Sequence, residues 1–234
     1  MVRKTRASWA CALLLGACNS QLVVDTKPVV NVDAIVESSN CATYSFKQRG
    51  RAPLAFLKGV AHQAAKECGA LPRALGDTNH DALSWYGYQS TLGNQYAFLI
   101  GLGMRESSGK YCEGRDLSAS NVEADTAEAG AFQVSYNSVD ADPALAALMT
   151  KYQNGADCDS GLLAQGPSCK QSDATIYGQG KGREFQILNR KCPAFAVEYA
   201  SVLIRTRRKH FGPINRKEVE VVPSCVQMIK DICK

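Results

Sequence analysis

The chain has 234 residues, 45% hydrophobic and 21% charged, with a formal net charge of +5. That length supports one domain large enough to bury a real core. Arg3, Lys4 and Arg6 of the opening segment carry three of those five charges, so the remaining excess is too small for a nucleic-acid-binding protein.

Residues 1–17 read as a signal peptide. Arg3, Lys4 and Arg6 precede an apolar stretch containing Leu13-Leu14-Leu15, which is too short to span a membrane. Leu15-Gly16-Ala17-Cys18 resembles the bacterial lipobox, whose cysteine is lipidated. The expectation is an exported, periplasmic protein held on the outer membrane by acyl chains at Cys18, or a secreted one if that site is unused. With Cys11 in the signal and Cys18 at the anchor, Cys41, Cys68, Cys112, Cys158, Cys169, Cys192, Cys225 and Cys233 remain. An even set in an exported chain predicts four disulfides, and eight cysteines allow 105 pairings, so the pairing stays open. No Cys-x-x-Cys pair occurs and the three His are scattered, so neither a metal site nor a cofactor is expected.

Residues 18–50 show no sustained period and are expected as a lipid anchor, a tether and an irregular lead-in, leaving 51–234 as the folded domain. Leu54, Leu57, Val60, Ala61 and Ala64 predict a helix over 53–68, with Pro53 at its start and Gly69 at its end. A short helix bearing Trp85 is expected within 79–88. The apolar run 96–104 lacks strand alternation and predicts a buried helix over 93–105, stopped by Gly109.

Gly, Ser, Asp and Glu then dominate to Gly130, a surface excursion pinned by Cys112, and 131–136 is expected as a turn with a short strand. Asp142-Pro143 opens a helix to Tyr152, and 155–182 reads as a loop stapled by Cys158 and Cys169. Phe195, Ala196, Tyr199, Ala200 and Leu203 place a helix over 193–210, whose basic end suits the helix dipole. A brief extended piece at 218–222 and a last helix at 224–232 complete a mainly α chain with a small hairpin and no internal repeat.

Glu106 stands where the buried helix runs out. Unpaired carbonyls and apolar neighbours such as Leu102 and Phe132 disfavour its ionised form there, and a carboxyl kept protonated is what acid-assisted cleavage of a glycosidic bond requires. Glu106-Ser107-Ser108-Gly109, followed after a polar loop by Gly130-Ala131-Phe132-Gln133, resembles the lysozyme-like superfamily, especially goose-type lysozymes and soluble lytic transglycosylases. The likeness covers residues 94–137. It departs at Ala131-Phe132, where those families have Leu-Met, and at Ser135, where many goose-type sequences have Asp.

The resemblance implies an α+β lysozyme-like fold with a sugar-binding cleft. It makes Glu106 the proton donor, Ser107 a support for the turn, Gln133 a cleft residue that hydrogen-bonds an N-acetyl group or positions the acid, and Phe132 and Tyr136 faces for sugar rings. A hydrolase also needs a second carboxylate, for which Glu113, Asp116, Glu123, Asp125 and Glu128 are candidates. Asp125 is favoured because it lies eight residues before Gln133, similar to a loop Asp of goose-type enzymes; Asp116, after Gly114-Arg115, is next. A transglycosylase needs Glu106 alone.

The expected activity is cleavage of the β-1,4 bonds of peptidoglycan between N-acetylmuramic acid and N-acetylglucosamine, by a monomer whose partners are glycan strands and, through Cys18, a membrane. A chitosanase-like or chitinase-like glycosidase and a non-catalytic glycan-binding lipoprotein are the rival expectations.

Overall fold

The computed structural model describes residues 30–69, 81–118, 120, 122–170, 175–207 and 212–234. The expected signal peptide, Cys18 and the first part of the tether lie outside them, as do residues 208–210 of the helix expected over 193–210. Among the described residues the chain is mainly helical, with nine α-helices and one two-stranded antiparallel hairpin.

The apolar run around Phe98 folds as α5 (Leu92–Ser107), and the whole stretch 95–104 is buried. Thr91 caps its start by accepting the Asn94 N–H at 3.2 Å. Ser108 ends it in a left-handed conformation, with φ of 58°, and the Gly109 N–H reaches back to the Gly103 carbonyl at 3.0 Å. Against α5 pack α3 (Leu54–Lys66), α8 (Pro193–Thr206) and α9 (Pro223–Ile232). The buried Gln95 side chain donates to the Ser201 hydroxyl and joins α5 to α8. Residues 218–222 lie so close on α5 that a Cβ at Gly101 would stand 2.1 Å from the Glu220 carbonyl oxygen.

A second, aromatic core fills the space between α6 (Pro143–Gln153), α7 (Gly180–Lys191) and α8. Phe185 meets Tyr199 edge to face at 4.9 Å, and Tyr152 meets Phe195 at 5.5 Å. Helix α8 serves both cores, with Ala196, Val197, Ala200 and Ile204 on one side and Phe195, Tyr199 and Leu203 on the other. That double duty explains its breadth of apolar character.

Two regions differ from expectation. Residues 32–46, read as an irregular lead-in, form α1 (Val32–Ser38), α2 (Asn40–Thr43) and the first strand of a hairpin, β1 (Ser45–Phe46) with β2 (Gly50–Arg51). Asn31 and Ser39 cap the two helices by accepting the Ala34 and Ala42 N–H groups, while Val36, Cys41 and Phe46 are buried. Residues 180–191 form α7, which has too narrow an apolar stripe to show in the sequence: Phe185 is fully buried and exposed Lys181, Arg183 and Glu184 surround it. The expected turn near 131–136 carries one isolated antiparallel bridge, Ala129 with Val134.

The eight cysteines form four disulfides: Cys41–Cys225, Cys68–Cys233, Cys112–Cys169 and Cys158–Cys192. The first two tie the opening helices and α3 to the C-terminal helix; the last two staple the loops around α7. Four such bonds fit an oxidising, exported environment. Among the described residues no helix is long and apolar enough to cross a membrane.

Candidate active site

A pocket of about 720 Å³ opens where α5, α8 and the loop 113–138 meet, between the two cores. Leu102, Phe132, Ala200, Leu203, Ile204 and Ile214 give it an apolar side. Ser118, Ser120, Thr126, Gln133, Ser135, Asn137 and Ser138 give it a side of hydroxyls and amides. Two carboxyl groups line it as well, Glu106 from the last turn of α5 and Glu128 from the loop.

Helix α5 sets the position of Glu106. Its side chain leaves the helix beside Leu102, one turn earlier, and near Gly212, where a Cβ would stand 3.7 Å from Glu106 Oε1. Burial pushes the carboxyl up to about 8, and the nearby charge of Glu128 adds to the rise. Arg216, Arg49 and Arg105 pull the other way. Two of those arginines are held by Glu218: Arg105 Nε donates to it at 3.0 Å and Arg216 Nε at 2.9 Å. Arg49 donates to the Arg105 carbonyl at 2.5 Å. Among the described residues no hydrogen bond or ion pair reaches the Glu106 carboxyl.

Ser107, next along, is buried and joins helix to loop. Its hydroxyl lies 2.9 Å from the Ala131 carbonyl and 3.2 Å from that of Gly103, and it accepts the Lys110 N–H at 3.0 Å. Gln133, in a left-handed conformation with φ of 45°, donates through Nε2 to the carbonyls of Gly114 and Gly130, both at 3.0 Å. Both amide hydrogens are thereby used, leaving the carboxamide oxygen for a ligand.

The loop is buttressed by α7. Arg190 donates to the carbonyls of Cys112 and Thr175 at 3.2 and 3.0 Å, and Gln186 donates to that of Ala124 at 3.1 Å. Gly130, with φ of 79°, sits so tightly on α7 that a Cβ would be 2.6 Å from the Asn189 carbonyl oxygen. Only glycine meets both conditions at little cost.

The structure places the other expected site residues differently. Asp125 and Asp116 are exposed and do not line the pocket. Asp125 faces Gly182 of α7; Asp116 accepts the Ser118 N–H and hydroxyl at 2.9 and 2.7 Å, which hold its carboxyl below the usual range. Tyr136 also lies off the pocket lining, its ring 6.0 Å from Phe185 in the aromatic core. Phe132 does line the pocket, but it is 3% exposed and packs on Phe56 at 5.9 Å. Glu128 is the loop acid that reaches the pocket; its adjacency to the Gly130 turn was the signal for this, outweighed in the sequence by the spacing of Asp125. The hydroxyls of Ser118 and Thr126, Leu203 of α8 and Arg207 just after that helix carried no sequence signal for the site.

Among the described residues, no group of three or more His, Cys, Asp or Glu is placed to hold a metal ion. The chain matches no protein-family model, no curated protein and no solved structure.

Proposed function

We propose that this protein cleaves the β-1,4 bonds of peptidoglycan, between N-acetylmuramic acid and N-acetylglucosamine, with Glu106 as the general acid. The observation that carries the reading is a carboxyl group lining an open pocket and holding its proton to about pH 8. Such a group can protonate the glycosidic oxygen as the bond to the anomeric carbon breaks, at a pH where an ordinary carboxyl has already ionised.

The walls suit a sugar. Pyranose rings have apolar faces and equatorial hydroxyls, and the pocket offers aliphatic surface from α8 opposite hydroxyl and amide groups from the loop. The carboxamide oxygen of Gln133 is an acceptor for an acetamido N–H. Positive charge from Arg49, Arg105 and Arg216 near Glu106, with Arg207 in the lining, favours a glycan bearing carboxylates, as peptidoglycan does, over cationic chitosan. The resemblance of Glu106-Ser107 and Gly130-x-x-Gln133 to lysozyme-like enzymes points the same way, and so do the four disulfides of an exported chain. Export through residues 1–17 and anchoring at Cys18 would bring the enzyme to the cell wall.

Incubation of the purified protein with peptidoglycan sacculi, followed by mass spectrometry of the soluble fraction, tests this. Released muropeptides are expected, with no turnover of chitosan. Binding to sacculi without any soluble product, or turnover of chitosan alone, contradicts it.

A further inference from the structure

We propose that Glu128 is a second catalytic carboxylate, sharing the pocket with Glu106 and taking a proton from the attacking water, so that the cleavage is hydrolysis. The inference rests on the reading of Glu106 as the acid and decides what that reading leaves open, since a transglycosylase uses no such base.

Placement separates Glu128 from the other loop acids. Asp116, Glu123 and Asp125 are exposed, and none of them lines the pocket. Glu113 is half-buried but pairs with Lys110 at 3.3 Å. Glu128 is half-buried between the buried Ala127 and Ala129, lines the pocket, and has no cationic partner among the described residues. A carboxyl that serves only solubility has no reason to be drawn inward.

Its backbone is also fixed on both sides. The Ala127 N–H bonds to the Glu123 carbonyl at 2.8 Å, Ala129 and Val134 exchange bonds of 3.1 and 3.3 Å, and the Gly130 N–H bonds to the Glu113 carbonyl at 2.9 Å. A site group held by such a shell keeps its geometry without help from the substrate.

The charges around the pair divide the roles. Asp116 is the negative group acting on Glu128, and Glu128 in turn acts on Glu106, which Arg49, Arg105 and Arg216 oppose only in part. Burial raises both glutamates, Glu106 furthest, so protons leave Glu128 before Glu106 as pH rises. Between the two steps one carboxyl is an acid and the other a base.

In the reaction, the Glu106 proton passes to the glycosidic oxygen as the bond from C1 to that oxygen breaks, and the leaving sugar departs as an alcohol. Water oxygen bonds to C1 while its proton passes to Glu128, giving a reducing end. The proton on Glu128 and the vacancy on Glu106 are restored through solvent.

The test compares wild type, Glu128→Gln and Glu128→Ala on sacculi, with products resolved by mass spectrometry and melting followed for each protein. Reducing ends are expected from wild type, with release falling about 100-fold or more in Glu128→Gln at near wild-type melting temperature. Added azide, which needs no base, is expected to restore turnover in Glu128→Ala as a glycosyl azide. The alkaline limb of the remaining activity in Glu128→Gln should move to lower pH, because burial still raises Glu106 but the negative charge that adds to that rise is gone. Wild type releasing only 1,6-anhydro ends, or Glu128→Gln releasing reducing ends at the wild-type rate, would overturn the inference and leave Glu106 standing. A wild type that releases nothing would remove the underlying reading as well.

Discussion

The two sides of the pocket are built on opposite plans. The Glu106 side is one regular helix, buried from Gln95 to Met104, whose geometry follows from local hydrogen bonding and a continuous apolar sequence. The Glu128 side is an irregular loop with few apolar residues, held by side-chain hydrogen bonds from Arg190, Gln186 and Gln133 and by Gly130 against α7. A helix carries a group to a fixed place cheaply; a loop needs a separate buttress for each turn. The glycan-cleaving account requires both to be rigid, and that difference can be probed from either side.

The largest effect is expected at Gly101, in the middle of the helical side. A methyl there would meet the Glu220 backbone at 2.1 Å, and backbone cannot swing aside as a side chain does. Gly101→Ala should lower unfolding free energy by ~3 kcal/mol or more in denaturant titrations. An unchanged midpoint would show that the helix side is looser than its packing indicates.

Next comes the cost of Glu106 itself. Its proton is held to about pH 8 in the folded chain but leaves near the ordinary value of 4.5 when unfolded. The folded state therefore binds the extra proton between those values, so this contribution to stability is full below pH 4.5 and is lost as pH rises toward 8. Glu106→Gln should abolish that slope and be more stable than wild type at pH 9 by on the order of 2 kcal/mol, measured by melting across pH.

A smaller change tests the tie between the sides. Ser107→Ala removes the buried hydroxyl at the Ala131 carbonyl and leaves the Lys110 N–H without its acceptor. A loss of ~1–2 kcal/mol is expected, together with lower glycan cleavage because the turn bearing Gln133 loosens. The least effect belongs to Asp125, exposed and outside the pocket. Asp125→Asn should stay within ~0.5 kcal/mol in stability and about twofold in turnover, which separates it from Glu128.

The same contrast explains what could be read from the sequence. Helix α5, its stop at Gly109, helix α8 and the even cysteine set were legible because each is written in local pattern or count. The place of Glu106 was legible as a consequence, since a helix end fixes its last turn. Residues 32–46 hid because caps and one disulfide, not periodicity, order them. Helix α7 hid behind its exposed charges, and with it went the support of the loop. Asp125 drew attention by spacing alone, whereas the place of Glu128 in the pocket lining depends on how Gly130 seats on Asn189, a contact 59 residues away in the chain. Tyr136 was read toward the pocket for its residue type, yet the second core, invisible as a unit in the sequence, claims its ring.

Glycan cleavage by Glu106→Gln, assayed on sacculi beside wild type at pH 6 to 7, tests the central claim most directly. The substitution keeps the shape of the side chain and removes the proton that it donates, so release of soluble muropeptides should fall by about 1,000-fold or more while the protein melts no lower than wild type. Release within tenfold of wild type by a well-folded Glu106→Gln protein would contradict the account.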